Sequence, residues 1–354
     1  MGCCCWTYFF IALLLAWCYA VIRYVNHMIN VKFKYLEKPL AQNHRQFSAF
    51  TRADYPNWDK TQMILGGIFL FPIRIVLFFI VLIHGWVWLH ILIKFYGIKD
   101  LNAEQPKAFS RWVKLIVRFS NRSALFIFGF HKINVLKKKF NSAAYPNLEC
   151  STHLPITMII SNHVSYIDVF YLASRPDSPC FVAKAETADI PFIGLYARAV
   201  QCIFVKRESR EARQEVMNLL VERIEKIKSG LNYSKMIIFP EATTTSGRAI
   251  LKFKKGPFAI NTPLKVLSIH YSGRFSPSYN LIELPDSIFG VLSQWRSGLD
   301  VIEMQGVISP KKPMEWESFS EEVRGMMCEE FGLEKANYYS EDRKAFDETY
   351  VYNK

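Results

Sequence analysis

Five short apolar runs, rich in β-branched and aromatic residues, recur between residues 156 and 272 and constrain the fold more than any other feature. They read "ITMII", "CFVAK", "CIFVK", "KMIIF" and "LKVLSIHYS". Each has the length of a buried strand, and stretches with helical spacing separate them. This alternation predicts an α/β fold, with a mostly parallel sheet flanked by helices. Polar residues follow the carboxyl ends of these strands, where parallel sheets bind ligands.

Two apolar stretches precede this region and predict contact with a membrane. Residues 6–22 carry no charge and reach about 17 residues, the lower limit for a spanning helix, so they predict an N-terminal transmembrane anchor. Residues 62–93 form a longer stretch, which Pro72 and Gly85 interrupt. Its two flanks are both basic, which favours the cytosolic side for both ends. We therefore predict a membrane-embedded hydrophobic hairpin over residues 62–93, with one long tilted span as the alternative.

The charge balance narrows the class of partner. The net charge is +13 over 354 residues, which favours anionic partners. Because no nucleic-acid-binding motif accompanies this charge, it favours membrane lipids or a phosphorylated ligand over nucleic acid. The scattered cysteines are expected to be reduced, whereas the adjacent Cys3, Cys4 and Cys5 are candidates for acylation. The sequence does not indicate an oligomeric state.

These features divide the chain into five segments. They are an N-terminal anchor and basic linker (1–61), the hairpin or tilted span (62–93), interfacial basic helices followed by a strand (94–148), the α/β domain (149–310), and a C-terminal helix and tail (311–354).

The first strand end, "NHVSYID", holds His163 and Asp168 five residues apart across a strand-to-helix turn. Asp168 falls in the first helical turn, and helical side chains point back toward the N-terminus, so its carboxylate can reach the imidazole. An imidazole oriented by a carboxylate is a general base held in one tautomer. The alternative is structural, since Ser165 and Asp168 have the spacing of a capping box. Asp168 could then only cap the helix, and His163 could be a satisfied strand-end histidine.

Two further strand ends carry charged residues. Lys184 ends the run "CFVAK" and Glu186 follows it, and Lys206 with Arg207 ends the next run. Adjacent cations at a strand end suit a phosphate. Taken singly, each of these charges is better explained as plain surface charge.

The fourth strand end reads "FPEATTTSGR". Glu241 can accept hydrogen bonds from hydroxyl groups, and Thr243, Thr244 and Arg248 can donate them. Several lysines follow within a few residues. This combination predicts a site for a ligand that carries both hydroxyl groups and an anion.

Taken in order, these strand ends resemble a known family. The pair His163-x4-Asp168, the Lys206–Arg207 strand end, "FPEATTT" and "TPLKVLSIHY" are similar to the four motifs of the glycerophospholipid acyltransferase superfamily. The stretches "VAKAETADIPFIG" and "LKFKKGPF" resemble its lysophosphatidylcholine acyltransferase branch. One departure is Ala242, where the family has glycine. If that position needs a positive φ, alanine costs about 1–2 kcal/mol, and we expect an altered substrate preference rather than inactivity.

The resemblance implies transfer of a fatty acyl group from acyl-CoA, as co-substrate, to the free hydroxyl of a lysophospholipid, without a cofactor or metal. It implies that His163 and Asp168 are catalytic and that the enzyme acts at the endoplasmic reticulum membrane, with its site facing the cytosol. The substrate-binding residues that it implies are Lys184, Glu186, Lys206, Arg207, Glu241, Thr243, Thr244 and Arg248.

Three alternatives stay open at this point. Within the same chemistry, the acceptor could be glycerol-3-phosphate or lysophosphatidic acid. The chain could also be a non-catalytic membrane scaffold built on the same fold. A metal-dependent hydrolase would need more ligands than His163 and Asp168, and the remaining histidines of this half, His153 and His270, lie outside any metal-binding motif.

Overall fold

The structure is a computed structural model that describes residues 2–37, 48–205 and 210–350, with side chains over 6–37, 48–205 and 214–346. Within these ranges the helices are α1 (Gly2–His27), α2 (Lys60–Tyr96), α3 (Lys107–Ile127), α4 (Tyr166–Ala173), α5 (Ile193–Ala199), α6 (Arg210–Lys228), α7 (Leu284–Leu292), α8 (Trp316–Phe331) and α9 (Asp342–Tyr350). The strands are β1 (Ile133–Lys138), β2 (Leu148–Ser151), β3 (Met158–Ser161), β4 (Cys180–Lys184), β5 (Ile203–Val205), β6 (Met236–Ile238), β7 (Ala249–Ile250), β8 (Leu264–Ser272), β9 (Gly298–Met304), β10 (Val307–Pro310) and β11 (Glu334–Lys335).

The described strands form one large sheet and one small one. The large sheet has the order β1-β9-β8-β3-β6-β4-β5, with β2 and β10 attached beside β8, and β7 pairs separately with β11. The five strands predicted from the sequence are the adjacent strands β8, β3, β6, β4 and β5, and they pair with one another in parallel. Strand β9 is antiparallel to β8. The predicted α/β fold with a mostly parallel sheet is confirmed.

Both faces of the sheet are covered by helices. Successive side chains of the central strands point to opposite faces and belong alternately to two hydrophobic clusters. On β3, Met158 and Ile160 belong to one cluster and Ile159 to the other. Helices α3, α6 and α8 contribute to the first cluster, and helices α1, α4 and α7 contribute to the second. The C-terminal helix α8 is therefore part of the core and not an appended tail. Strand β1 likewise joins the sheet by pairing with β9.

The prediction of a hydrophobic hairpin over residues 62–93 is wrong, because α2 continues as a single helix through Pro72 and Gly85. Pro72 lacks the N–H that would bond the carbonyl of Ile68, and the indole Nε1 of Trp17 in α1 donates to that carbonyl instead, at 3.2 Å. Gly85 is a packing position, since a Cβ there would lie 1.9 Å from the hydroxyl of Tyr196. Neither residue breaks the helix, so the backbone is the single helix that the alternative of one long tilted span requires.

Helix α2 buries one face along its whole length and exposes the other. The buried residues are Met63, Gly66, Gly67, Arg74, Gly85 and Leu89. The exposed large hydrophobic residues are Leu65, Phe69, Ile73, Val76, Leu77, Phe79, Ile80, Ile83, Val87, Trp88, Ile91 and Phe95. Both α1 and α2 are long and apolar enough to cross a membrane, and little of either is covered by the rest of the chain. The protein is therefore a membrane protein.

Helix α3 corresponds to the interfacial region expected over residues 94–148, as one amphipathic helix rather than several. Its inward face, with Phe109, Val113 and Val117, joins the core beside α2. Its outward face exposes Trp112 and Phe119 among basic residues. Such a surface is typical of a helix that lies at the boundary between lipid and water.

Candidate active site

The strand-to-helix turn between β3 and α4 brings His163 and Asp168 into contact. Ser165 is the N-cap of α4, and its side chain and that of Asp168 form a reciprocal capping box. The same carboxylate of Asp168 lies 2.9 Å from Nδ1 of His163 through Oδ2. The carboxylate of Asp168 therefore does both things that the sequence suggests as alternatives: it caps α4 and it orients the imidazole of His163.

The hydrogen bond to Asp168 fixes the tautomer of His163. An ionised carboxylate only accepts hydrogen bonds, so Nδ1 carries the proton and Nε2 is left with its lone pair. Four donors surround the buried carboxylate of Asp168: Nδ1 of His163, the backbone N–H groups of Val164 and Ser165, and the hydroxyl of Tyr271. These contacts compensate the loss of water around the charge. The arrangement can deliver a general base at Nε2.

Tyr271 is a site residue that the sequence analysis missed. It stands at the end of β8 and donates its hydroxyl to Oδ1 of Asp168 at 2.5 Å. Burial and the charge of Asp168 raise the pKa of Tyr271 well above its ordinary value, so the hydroxyl stays a donor. The strand "LKVLSIHYS" had been noted, but only contact across the sheet distinguishes Tyr271 from its neighbour His270, which bonds Ser268 instead.

The ring of His163 is held between the turn and the strand end of β6. It stacks on Phe239, with ring centroids 3.8 Å apart and the planes 11° from parallel. The backbone carbonyl of His163 accepts a hydrogen bond from the N–H of Thr245 at 2.7 Å. The loop that follows β6 therefore restrains both the backbone and the side chain of the candidate base.

Glu241, which the sequence predicts to bind substrate hydroxyl groups, is buried behind the cavity and is not among the residues that line it. Its side chain is fully buried, and its two oxygens accept the backbone N–H groups of His163 and Leu251, at 3.1 and 2.9 Å. Burial raises the pKa of Glu241 to about 8. This geometry favours a positioning role, in which the carboxyl joins the loop after β6 to the turn that carries His163.

Ala242 adopts a φ of +60°. This is the left-handed region that glycine occupies without strain and alanine does not. The position where the family has glycine and this chain has Ala242 therefore does need a positive φ. As a result, the loop holds a strained alanine at the cavity wall.

The two threonines contact a residue from the far end of the chain. A guanidinium nitrogen of Arg343 donates to the hydroxyl oxygens of Thr243 and Thr244, at 3.2 and 2.9 Å, and to the carbonyl of Thr244. Each hydroxyl keeps its own O–H to donate to a ligand. Nothing in the local sequence indicates this contact, because 99 or 100 residues separate the partners.

The charged candidates separate into three groups. Lys184 lies at the end of β4 and lines the cavity described below. Glu186 and Arg248 are exposed and are not among the residues that line it. Lys206 and Arg207 fall outside the described residues, so their role stays a prediction.

His163 opens onto a cavity of about 1600 Å³. One part of the wall is apolar and comes from α2 and α3, with Phe78, Val81, Leu82 and Val117. Another part is cationic and contains Lys184, Lys254, Lys255 and Arg343. The cavity wall therefore offers an apolar surface for a hydrocarbon chain and cations for an anion, and the imidazole of His163 lies in the same wall.

The described cysteines offer no activated thiolate in this cavity. Cys180 and Cys202 are buried in the sheet, and burial raises the pKa of Cys180 to about 11. A thiol with such a pKa is a poor nucleophile at neutral pH. Among the described residues, no three side chains of the histidine, cysteine or acidic type are grouped as metal ligands.

The comparison with protein families agrees with this geometry. The sequence model of the acyltransferase family matches residues 148–272, which include the His163–Asp168 turn, the loop after β6 and Tyr271. These residues therefore carry an acyltransferase domain, and the glycerophospholipid acyltransferase superfamily is the family that this domain is similar to. The family model ends before the residues of α8, β11 and α9, so Arg343 lies outside it.

Curated relatives share the same region. The lysophospholipid acyltransferase LPEAT1 of Arabidopsis thaliana is 28% identical over 67% of this chain and 65% of its own length. LPEAT2 of the same plant is 30% identical, over 68% of this chain and 41% of its own. A lysophosphatidylcholine acyltransferase of Drosophila melanogaster is 28% identical over 59% of this chain and 36% of its own length. The chain thus spans less than two thirds of each of these relatives.

Proposed function

We propose that this protein transfers a fatty acyl group from acyl-CoA to the free hydroxyl of a lysophospholipid, lysophosphatidylcholine or a related lipid, at a membrane surface. The observation that carries the proposal is the His163–Asp168 pair, with Nδ1 and Oδ2 at 2.9 Å, opening onto a cavity whose wall contains both apolar and cationic side chains. Its relatives include proteins named for lysophospholipid and lysophosphatidylcholine acyl transfer.

The chemistry needs one base and no covalent enzyme intermediate. Nε2 of His163 takes the proton of the lysolipid hydroxyl as that oxygen attacks the thioester carbonyl. Asp168 stabilises the imidazolium that forms. The tetrahedral intermediate collapses with cleavage of the C–S bond, and the proton on Nε2 goes to the departing thiolate of CoA. Atoms and charge balance without a metal or a redox partner.

The apolar and the cationic residues of the cavity wall suit different parts of the substrates. Apolar side chains of α2 and α3 suit the acyl chains, which then remain in an apolar phase. Lys184, Lys254 and Arg343 suit a phosphate. We place the reaction at the endoplasmic reticulum membrane, on its cytosolic face, since basic residues after α1 favour the cytosol.

The direct test replaces His163 with alanine and follows labelled acyl-CoA into lysophospholipids in membranes that contain the full-length protein. Loss of a general base lowers turnover by about 10²- to 10⁴-fold. The control is His153→Ala, since His153 is exposed and lies outside the cavity. Equal activity of the His163 variant and wild type would end the assignment.

A panel of acceptors decides among the substrates of the same chemistry. It contains lysophosphatidylcholine, lysophosphatidylethanolamine, lysophosphatidic acid and glycerol-3-phosphate. Turnover of glycerol-3-phosphate alone would replace the proposed acceptor. If a folded protein turned over no acceptor at all, a scaffold function would take its place.

A further inference from the structure

The segment 334–346, here called the C-terminal strap, crosses the loop that carries Glu241 and the threonines. At one end β11 pairs in parallel with β7, and the N–H of Lys252 donates to the carbonyl of Tyr338 at 2.8 Å. At the other end Phe346 is buried against Phe50, with ring centroids 5.7 Å apart. Because both ends are fixed, the middle of the strap has a defined position over the loop.

The middle of the strap forms part of the cavity wall. Tyr339, Glu341 and Arg343 all line it. The ammonium group of Lys254 donates hydrogen bonds to both carboxylate oxygens of Glu341, at 2.7 and 2.6 Å. The same ammonium group lies 4.8 Å from the ring centroid of Tyr339. A carboxylate, an aromatic face and a lysine thus meet within one wall.

The charges of this wall are uneven. The cations that line the described cavity are Lys184, Lys254, Lys255 and Arg343, and Glu341 is the single carboxylate among its described lining residues. The hydrogen bond from Lys254 lowers the pKa of Glu341, so the carboxylate is ionised at neutral pH. The side chain of Glu341 is 72% exposed and is therefore reachable by a ligand in the cavity.

We propose that Glu341 is a specificity-determining residue, which sets the headgroup charge that the acceptor site accepts. The inference rests on the proposed function. A phosphomonoester carries a charge of about −1.5 to −2 at neutral pH, and a phosphodiester carries about half of that. Glu341 neutralises one lysine and repels the second negative charge of a phosphomonoester, whereas the ammonium group of a zwitterionic phosphodiester is attracted to Glu341 and to the face of Tyr339.

The test compares two acceptors on the full-length protein, lysophosphatidylcholine as the zwitterion and lysophosphatidic acid as the phosphomonoester. Glu341→Gln keeps the shape and removes the charge. We expect the ratio of kcat/KM values to shift toward lysophosphatidic acid by about fivefold, the size of a partly screened charge interaction, through the KM of the acceptor. Glu341→Asp should return part of the preference. Glu334→Gln is the matched control, because it removes a carboxylate of the strap outside the cavity lining.

An unchanged ratio in Glu341→Gln would overturn the inference while leaving the proposed function intact. A change confined to the KM of acyl-CoA, equal for both acceptors, would also overturn it, because the cations would then serve the phosphates of CoA. Absence of turnover by wild type with every lysolipid would overturn the proposed function first, and this inference with it. Equilibrium binding of both lysolipids to the His163→Ala variant gives the same ratio without catalysis.

Discussion

Asp168 is the residue on which most of the site depends, because its two oxygens receive four donors from two elements of the fold. Asp168→Asn keeps an oxygen for the N-cap and presents an amide to the hydroxyl of Tyr271, which can accept a hydrogen bond. The change removes the charge that stabilises an imidazolium at His163. We expect kcat to fall by about 10²- to 10⁴-fold with little change in the KM of either substrate. Rate and KM measurements on the purified variant check this. A larger loss in binding than in kcat would favour a capping role alone.

The strained backbone at Ala242 predicts a stabilising substitution. Ala242→Gly relieves about 1–2 kcal/mol of left-handed strain and loses about 0.5–1 kcal/mol to the greater freedom of glycine in the unfolded chain. We therefore expect a net gain of about 0.5–1 kcal/mol, visible as a higher Tm. The matched control is the exposed Ala108→Gly in the first turn of α3, which should destabilise by less than about 1 kcal/mol. A lower Tm in both variants would contradict the backbone argument.

The raised pKa of Glu241 predicts how the importance of this residue depends on pH. A carboxyl group whose pKa is near 8 in the folded protein and about 4.3 when unfolded stabilises the fold fully below the lower value. That contribution is lost as the pH rises through about 8. The destabilisation caused by Glu241→Gln should therefore be largest near pH 4 and shrink steadily up to about pH 8, measured as the difference in Tm from wild type. A difference that stayed constant between about pH 5 and pH 9 would mean that the native carboxyl is ionised throughout this range.

The residues that the sequence could locate are those whose partners lie nearby in the chain. His163 and Asp168 are five residues apart across one turn, so helical geometry predicts their contact. Tyr271 and Arg343 reach the site from about a hundred residues away, across the sheet and along the C-terminal strap. Glu241 was found as a residue, but its backbone partners could not be, since they depend on how two loops pack. Periodicity carries no information on such contacts.

At the scale of elements, α2 explains both the success and the error of the sequence-based prediction. The sequence locates the apolar stretch, but its proline and glycine predict a break between two arms that the structure does not have. The carbonyl freed by Pro72 is satisfied by Trp17, and Gly85 allows Tyr196 to approach. Both compensations come from other elements, so the sequence of α2 alone does not contain them.

Replacing glycine by alanine should have opposite effects on stability at two helical positions, Gly66 in α2 and Gly325 in α8. At Gly66 an added Cβ would lie 1.8 Å from the carbonyl oxygen of Ser293 in the turn after α7. Gly66→Ala should thus destabilise by about 1–3 kcal/mol through overpacking, despite the better helix propensity of alanine. At Gly325 in α8 no atom lies within 4 Å of the added Cβ, so Gly325→Ala should stabilise by up to about 1 kcal/mol. Thermal unfolding in detergent of the two variants checks the signs. A stable Gly66→Ala variant would mean that α2 does not pack on α7.

At the scale of the whole molecule, α2 determines how the α/β domain meets the bilayer. A helix of 37 residues is about 55 Å long, well beyond the hydrocarbon thickness of about 30 Å. One face of α2 packs on α3, α5 and α7 from end to end, so a perpendicular span would draw these elements of the domain into the bilayer with it. We therefore expect α2 to lie along the membrane surface, with its apolar face in one leaflet and α1 as the deeper anchor.

Depth measurements distinguish this arrangement from a span. Phe69, Ile80 and Ile91 lie on the same face of α2 because each step of eleven residues returns close to the same angle, and all three are at least half exposed. A nitroxide side chain placed at each position in turn should report nearly equal, shallow depths by its accessibility to oxygen and to a water-soluble relaxation agent. A perpendicular span instead places Ile80 about 16 Å deeper than the other two. Equal depths would locate His163, whose cavity wall includes Phe78 and Leu82, at the level where a lysolipid presents its free hydroxyl.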